Sequence, residues 1–170
     1  MVLPELDRLR QLDARRLGTA LAGLLRRGDL VILSGDLGAG KTTMTQGIGA
    51  GLGVRGDITS PTFVIARVHP SLTGGPALVH VDAYRLGGIE ELDDLDLDTS
   101  LDDAVTIVEW GEGVAEGLAD ERLELRLLRR VGSDPDTDDH DPREVEVTPV
   151  GLRWLDAGLD LLPGRTVDSL

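Results

Sequence analysis

The residues that concentrate chemistry in this chain are Gly35-Asp36-Leu37-Gly38-Ala39-Gly40-Lys41-Thr42. They have the spacing G-x-x-x-x-G-K-[ST], in which glycines turn successive backbone N–H groups inward around phosphate oxygens. A buried strand, Leu30–Leu33, is expected to run in, and a helix, Thr42–Leu52, to run out. The start of that helix would add its partial positive charge to the cradle. In such a cradle a lysine reaches the terminal phosphates and a hydroxyl meets Mg2+, which gives those roles to Lys41 and Thr42. Lys41 is also the only lysine, against sixteen arginines. A compact ammonium and a planar guanidinium are not interchangeable at a tight phosphate site. With one lysine, no N-K-x-D guanine-reading segment exists, so ATP is the expected nucleotide.

Turnover at such a cradle needs a carboxylate near the metal, at the end of a buried strand. Two positions qualify: Val105–Val108 leads into Glu109, and Leu78–Val81 into Asp82. In an open α/β sheet both belong at the carboxyl edge, where ligands bind. One would hold Mg2+ while the other orients the attacking water. His80 and Asp82 share one face of their strand, and His80 reads as a packed or hydrogen-bonded histidine rather than half of a metal pair. Ser60-Pro61-Thr62 offers hydroxyls where a switch segment would touch a terminal phosphate, although the same residues also make an ordinary turn. Trp110, next to Glu109, suits the nucleotide, a partner surface or the core.

The elements that must position these groups read as one domain over residues 1–170. A strand is expected at Leu6–Leu12, and a helix from an Asp13 cap to Arg27 with Leu17, Leu21, Leu24 and Leu25 at helical spacing. Further strands are expected at Phe63–Val68, Ala77–Val81 and Ala104–Val108. Leu123–Leu128 and Glu144–Thr148 follow as antiparallel strands, then a terminal helix at Leu152–Leu162. Gly87–Asp103 reads as an acidic surface loop, and residues 133–142, with five Asp, as a mobile one. The net charge of −14 excludes a domain that grips nucleic acid alone. The absence of cysteine excludes disulfides and thiolate chemistry. No apolar run is long enough to cross a membrane and Met1–Leu12 lacks a secretory apolar region, so the expected location is cytoplasmic.

Four segments fall in a recognisable order: the cradle Gly35–Thr43, then Ser60-Pro61-Thr62-Phe63, then His80-Val81-Asp82-Ala83-Tyr84-Arg85-Leu86, then Glu109-Trp110. In this the chain resembles the TsaE family, small bacterial ATPases required to make threonylcarbamoyladenosine in tRNA; the likeness spans roughly residues 12–112. The resemblance implies an α/β P-loop NTPase fold, three-layered with a mixed, largely parallel central sheet. It also implies slow ATP hydrolysis in support of TsaD, the threonylcarbamoyl transferase, and its companion TsaB. Asp36, Leu37, Gly38, Ala39, Gly40, Lys41, Thr42 and Thr43 would then bind ATP. Thr42 and Glu109 would hold Mg2+, Asp82 would position water, and Ser60 and Thr62 would form the switch-like segment. tRNA would be reached only through the complex, in keeping with the acidic charge, and no membrane is involved. Gly111 departs from the proline often found there. Two rival readings stand beside this one: a small-molecule or nucleoside kinase, and a binding module in which ATP fixes a conformation that partners read without hydrolysis.

Overall fold

A computed structural model describes residues 6–12, 14–35, 40–56, 58, 66–83, 101–109, 120–129, 143–159 and 162. In chain order the elements are β1 (Leu6–Leu12), α1 (Ala14–Ala22), β2 (Leu30–Gly35), α2 (Lys41–Leu52), β3 (Ala66–His69), β4 (Ala77–Asp82), β5 (Ala104–Glu109), β6 (Arg122–Arg129) and β7 (Arg143–Val150). They form one seven-stranded sheet in the order β1-β7-β6-β2-β5-β4-β3. The four central strands, β6, β2, β5 and β4, run parallel to one another. The flanking strands β3, β7 and β1 pair antiparallel with their neighbours. The sheet is therefore mixed, with its parallel part at the centre, as the resemblance implied. β6 is antiparallel only toward β7; toward β2 it is parallel.

Continuous apolar runs build the centre because parallel strands are covered on both faces. Period-two geometry sends Val31, Leu33, Val105 and Ile107 to one face, where they pack with Leu17, Leu21, Met44 and Ile48 of the two helices. Leu30, Ile32, Val79, Val81 and Val108 form a second buried cluster on the other face. Burial on both faces is what a three-layer arrangement requires.

On α2 the large apolar buried side chains Met44, Ile48 and Leu52 recur every four residues, giving one core-facing stripe, and Lys41, Thr45, Gly47 and Gly49 are buried as well. Its partner is α1, and the two backbones lie very close. A Cβ at Gly18 would come 2.3 Å from the Met44 carbonyl oxygen, and one at Gly47 would come 2.0 Å from that of Arg15. Only hydrogen fits at these two positions. The Thr19 hydroxyl adds a bond to the Gly47 carbonyl at 3.2 Å. The helix that carries Lys41 and Thr42 is thereby seated on α1.

Several elements differ from expectation. The first helix stops at Ala22 rather than Arg27, because its last turn tightens: Leu24 N–H reaches the Leu21 carbonyl at 2.8 Å and Leu25 N–H that of Ala22 at 3.3 Å. The Leu24 carbonyl is then free of the helix and accepts from Arg153 Nη2 at 2.7 Å. In place of the terminal helix, the described residues show a 3-10 turn at Leu152–Trp154 and a further turn closed by the Leu162 N–H on the Leu159 carbonyl at 3.2 Å. Leu152 and Leu155 are 68% and 51% exposed, whereas Leu159 and Leu162 are buried, so the leucines do not share one face. Asp29 accepts from Arg26 N–H at 2.8 Å and from Arg153 Nε and Nη2 at 3.1 and 2.9 Å, which ties the C-terminal turn to the entry of β2. Of the third strand, Ala66–His69 is described, and Phe63 lies outside the described residues. Within 87–103 only a 3-10 turn at Leu101–Asp103 is described; Asp13 and the acidic segment 133–142 lie outside. No described helix is long and apolar enough to cross a membrane.

Candidate active site at the carboxyl edge

Central strand β2 delivers the chain to the carboxyl edge of the sheet, and α2 departs from the same edge at Lys41. Gly40 makes the turn possible with φ 101°, a left-handed conformation that a side chain would strain. Among the described residues no side chain caps this helix end. Its amide groups therefore keep the donor character, reinforced by the helix dipole, that binds anions.

Lys41 is 6% exposed, and its ammonium donates to the Gly35 carbonyl at 3.0 Å, bridging the start of the helix to the end of the strand. One residue on, the Thr42 hydroxyl donates to Glu109 Oε1 at 3.3 Å. Thr43 is exposed, while Thr45 turns inward and bonds the Lys41 carbonyl at 2.9 Å. Glu109 ends β5 and Asp82 ends β4, and the two are register partners on adjacent parallel strands. Both acids are buried. Strand ends and helix start thus bring Lys41, Thr42, Asp82 and Glu109 to one edge.

His80 lies on the same face of β4 as Asp82, fully buried, with Nε2 at 3.2 Å from Glu109 Oε1. The approach is close, but its angle is not that of a hydrogen bond, and neither ring nitrogen has a hydrogen-bond partner. On the neighbouring strand His69 is also buried. Burial, more than the nearby charges of His80 and Arg67, lowers its pKa, against the Arg55 carbonyl, which raises it.

The donor set suits a magnesium ion that arrives with phosphates. Thr42 Oγ1 and Glu109 Oε1 are hard oxygens 3.3 Å apart. Adjacent ligands of an octahedral Mg2+ lie about 2.9 Å apart, so a small closure would serve both. Among the described residues no group of three or more His, Asp or Glu forms a dedicated metal cage. Mg2+ commonly takes one or two protein oxygens and fills its shell from phosphate and water.

Of the residues expected at the site, Asp36, Leu37, Gly38, Ala39, Ser60, Thr62 and Trp110 lie outside the described residues. Gln46 donates to the Ile58 carbonyl at 2.9 Å, which sets the chain beside α2 just before the Ser60–Thr62 segment. Spacing identified both strand-end acids. It did not reveal that His80 touches Glu109, because that contact depends on how β4 and β5 align.

A parallel core whose central strand feeds a glycine turn and an uncapped helix, with strand-end acids beside it, defines a P-loop NTPase fold. Comparison with known proteins carries this further. The family model for threonylcarbamoyl adenosine biosynthesis protein TsaE matches residues 10–134. The tRNA threonylcarbamoyladenosine biosynthesis protein TsaE of Streptomyces coelicolor is 64% identical over 151 residues, covering 88% of this chain and 99% of that protein. The Bacillus subtilis protein of the same name is 36% identical over 143 residues, 84% of this chain and 83% of its own. The crystal structure of Bacillus subtilis YdiB superposes with a TM-score of 0.66 at 31% identity, covering 91% of this chain and 90% of that one. The chain belongs to the TsaE family of threonylcarbamoyladenosine biosynthesis proteins.

Proposed function

We propose that this chain is a Mg2+-dependent ATPase, weak alone and partner-dependent, that acts in the cytoplasm. Its turnover supports threonylcarbamoyladenosine modification of tRNA, next to the anticodon, by a TsaD–TsaB complex. The observation that carries the reading is the meeting of Lys41, Thr42, Asp82 and Glu109 at the uncapped start of α2. The α2 amides and the Lys41 ammonium bind the β- and γ-phosphates. The Thr42 hydroxyl and the Glu109 carboxylate hold Mg2+, which when bound neutralises charge on the phosphate oxygens. Asp82, paired with Glu109 across the strands, orients the attacking water and accepts a hydrogen bond from it. A net charge of −14 leaves the tRNA to be held by other proteins.

ATP hydrolysis by the purified chain, with and without TsaD, TsaB and tRNA, tests this. Low activity alone with clear stimulation by the partners is the expected result. Brisk turnover indifferent to the partners, or transfer of phosphate to a small acceptor, would overturn it in favour of a kinase. Modification that survives Glu109→Ala would instead mark a binding module that has no need of hydrolysis.

A further inference from the structure

We propose that His80 is a positioning residue that fixes the carboxylate of Glu109; its bearing on Mg2+ rests on the reading above. The imidazole is fully buried, and both nitrogens lack hydrogen-bond partners. A buried polar ring without partners is unfavourable, and a leucine would fill the same space without that cost. Packing alone therefore gives no reason for a histidine here.

Geometry supplies one. His80 Nε2 lies 3.2 Å from Glu109 Oε1, the same oxygen that the Thr42 hydroxyl reaches at 3.3 Å. The register explains the meeting. Asp82 stands opposite Glu109 and His80 opposite Ile107, so the imidazole sits one same-face position below the pair of acids. Oε1 is thus approached from the helix by Thr42 and from the strand by His80. When the Thr42 hydroxyl turns its lone pair toward an ion, the imidazole keeps Oε1 in place. A small rotation makes the contact an Nε2–H···O hydrogen bond, the arrangement by which groups behind a ligand orient it.

The test is binding of a fluorescent ATP analogue to the full chain, titrated with Mg2+, for wild type, His80→Leu and His80→Gln. Without Mg2+ the three should bind alike. The Mg2+ needed for half-maximal tightening should rise about tenfold in His80→Leu, within the range for groups behind a metal ligand. It should return toward wild type in His80→Gln, whose amide N–H reaches the carboxylate. In a Glu109→Gln background, His80→Leu should add nothing. An unchanged Mg2+ response in His80→Leu, or a loss that persists in full without the Glu109 carboxylate, would overturn the role. If His80→Leu melts early, His80→Asn replaces it, too short to reach Glu109 and compared with His80→Gln at equal stability. Wild type that binds no nucleotide overturns the ATPase reading and this role with it. Wild type that binds while the His80 variants stay indifferent overturns this role alone.

Discussion

At the scale of single residues, side-chain shape matters more than charge at Lys41. Its ammonium is confined at 6% exposure between the start of α2 and the Gly35 carbonyl, 3.0 Å away. A guanidinium carries the same charge on a broad planar head, which does not substitute for a compact ammonium at a confined phosphate site. Lys41→Arg should therefore weaken ATP binding by at least about tenfold, about 1.4 kcal/mol, as read by equilibrium titration. An affinity equal to wild type would show that charge alone suffices. Lys41, Thr42, Asp82 and Glu109 were legible in the sequence because the glycine spacing and the strand-end acids sit in contiguous segments. The contact of His80 with Glu109 was not, since it links residues 29 positions apart through the register of two strands.

Among the elements, the pair α1 and α2 gives the site its foundation. A glycine inside a helix, as Gly47 is in α2, is ordinarily a weak point, where alanine would add about 1 kcal/mol of helix stability. In the structure its missing Cβ is what lets the Arg15 carbonyl approach, since a methyl group would stand 2.0 Å from that oxygen. Gly47→Ala should then cost about 1–3 kcal/mol in urea unfolding, the usual range for overpacking. A stabilised variant would mean that the helices separate without penalty. The elements that sequence reading placed well were those set by local pattern, such as the apolar runs of β2, β4 and β5. It lengthened α1 and made a helix of residues 152–162 because leucines at helical spacing look alike whether or not they share a face. At the end of α1 the last turn tightens, and the carbonyl of Leu24 that this frees is taken by Arg153.

For the molecule as a whole, the sheet separates stability from chemistry by placing them at opposite edges. Asp29, just before β2, forms a buried pair with Arg153 and anchors the C-terminal turn at the amino edge. Asp29→Ala would leave the guanidinium buried without its partner, at a cost of about 3 kcal/mol in unfolding free energy. ATP affinity should stay unchanged, because the site lies at the far ends of the same strands. A parallel loss of affinity would join what the structure holds apart. Both the −14 charge and the glycine spacing of the cradle are plain in the sequence, and the proposed reading of an ATP-driven protein that leaves nucleic acid to its partners starts from them.

The central claim is that Glu109 completes a hydrolytic site built on the α2 cradle. Single-turnover ATP hydrolysis by Glu109→Gln, in the presence of TsaD, TsaB and tRNA, tests it most directly. The expected variant melts like wild type and still binds ATP, with hydrolysis slowed by about 10²–10³. Hydrolysis at the wild-type rate would contradict it.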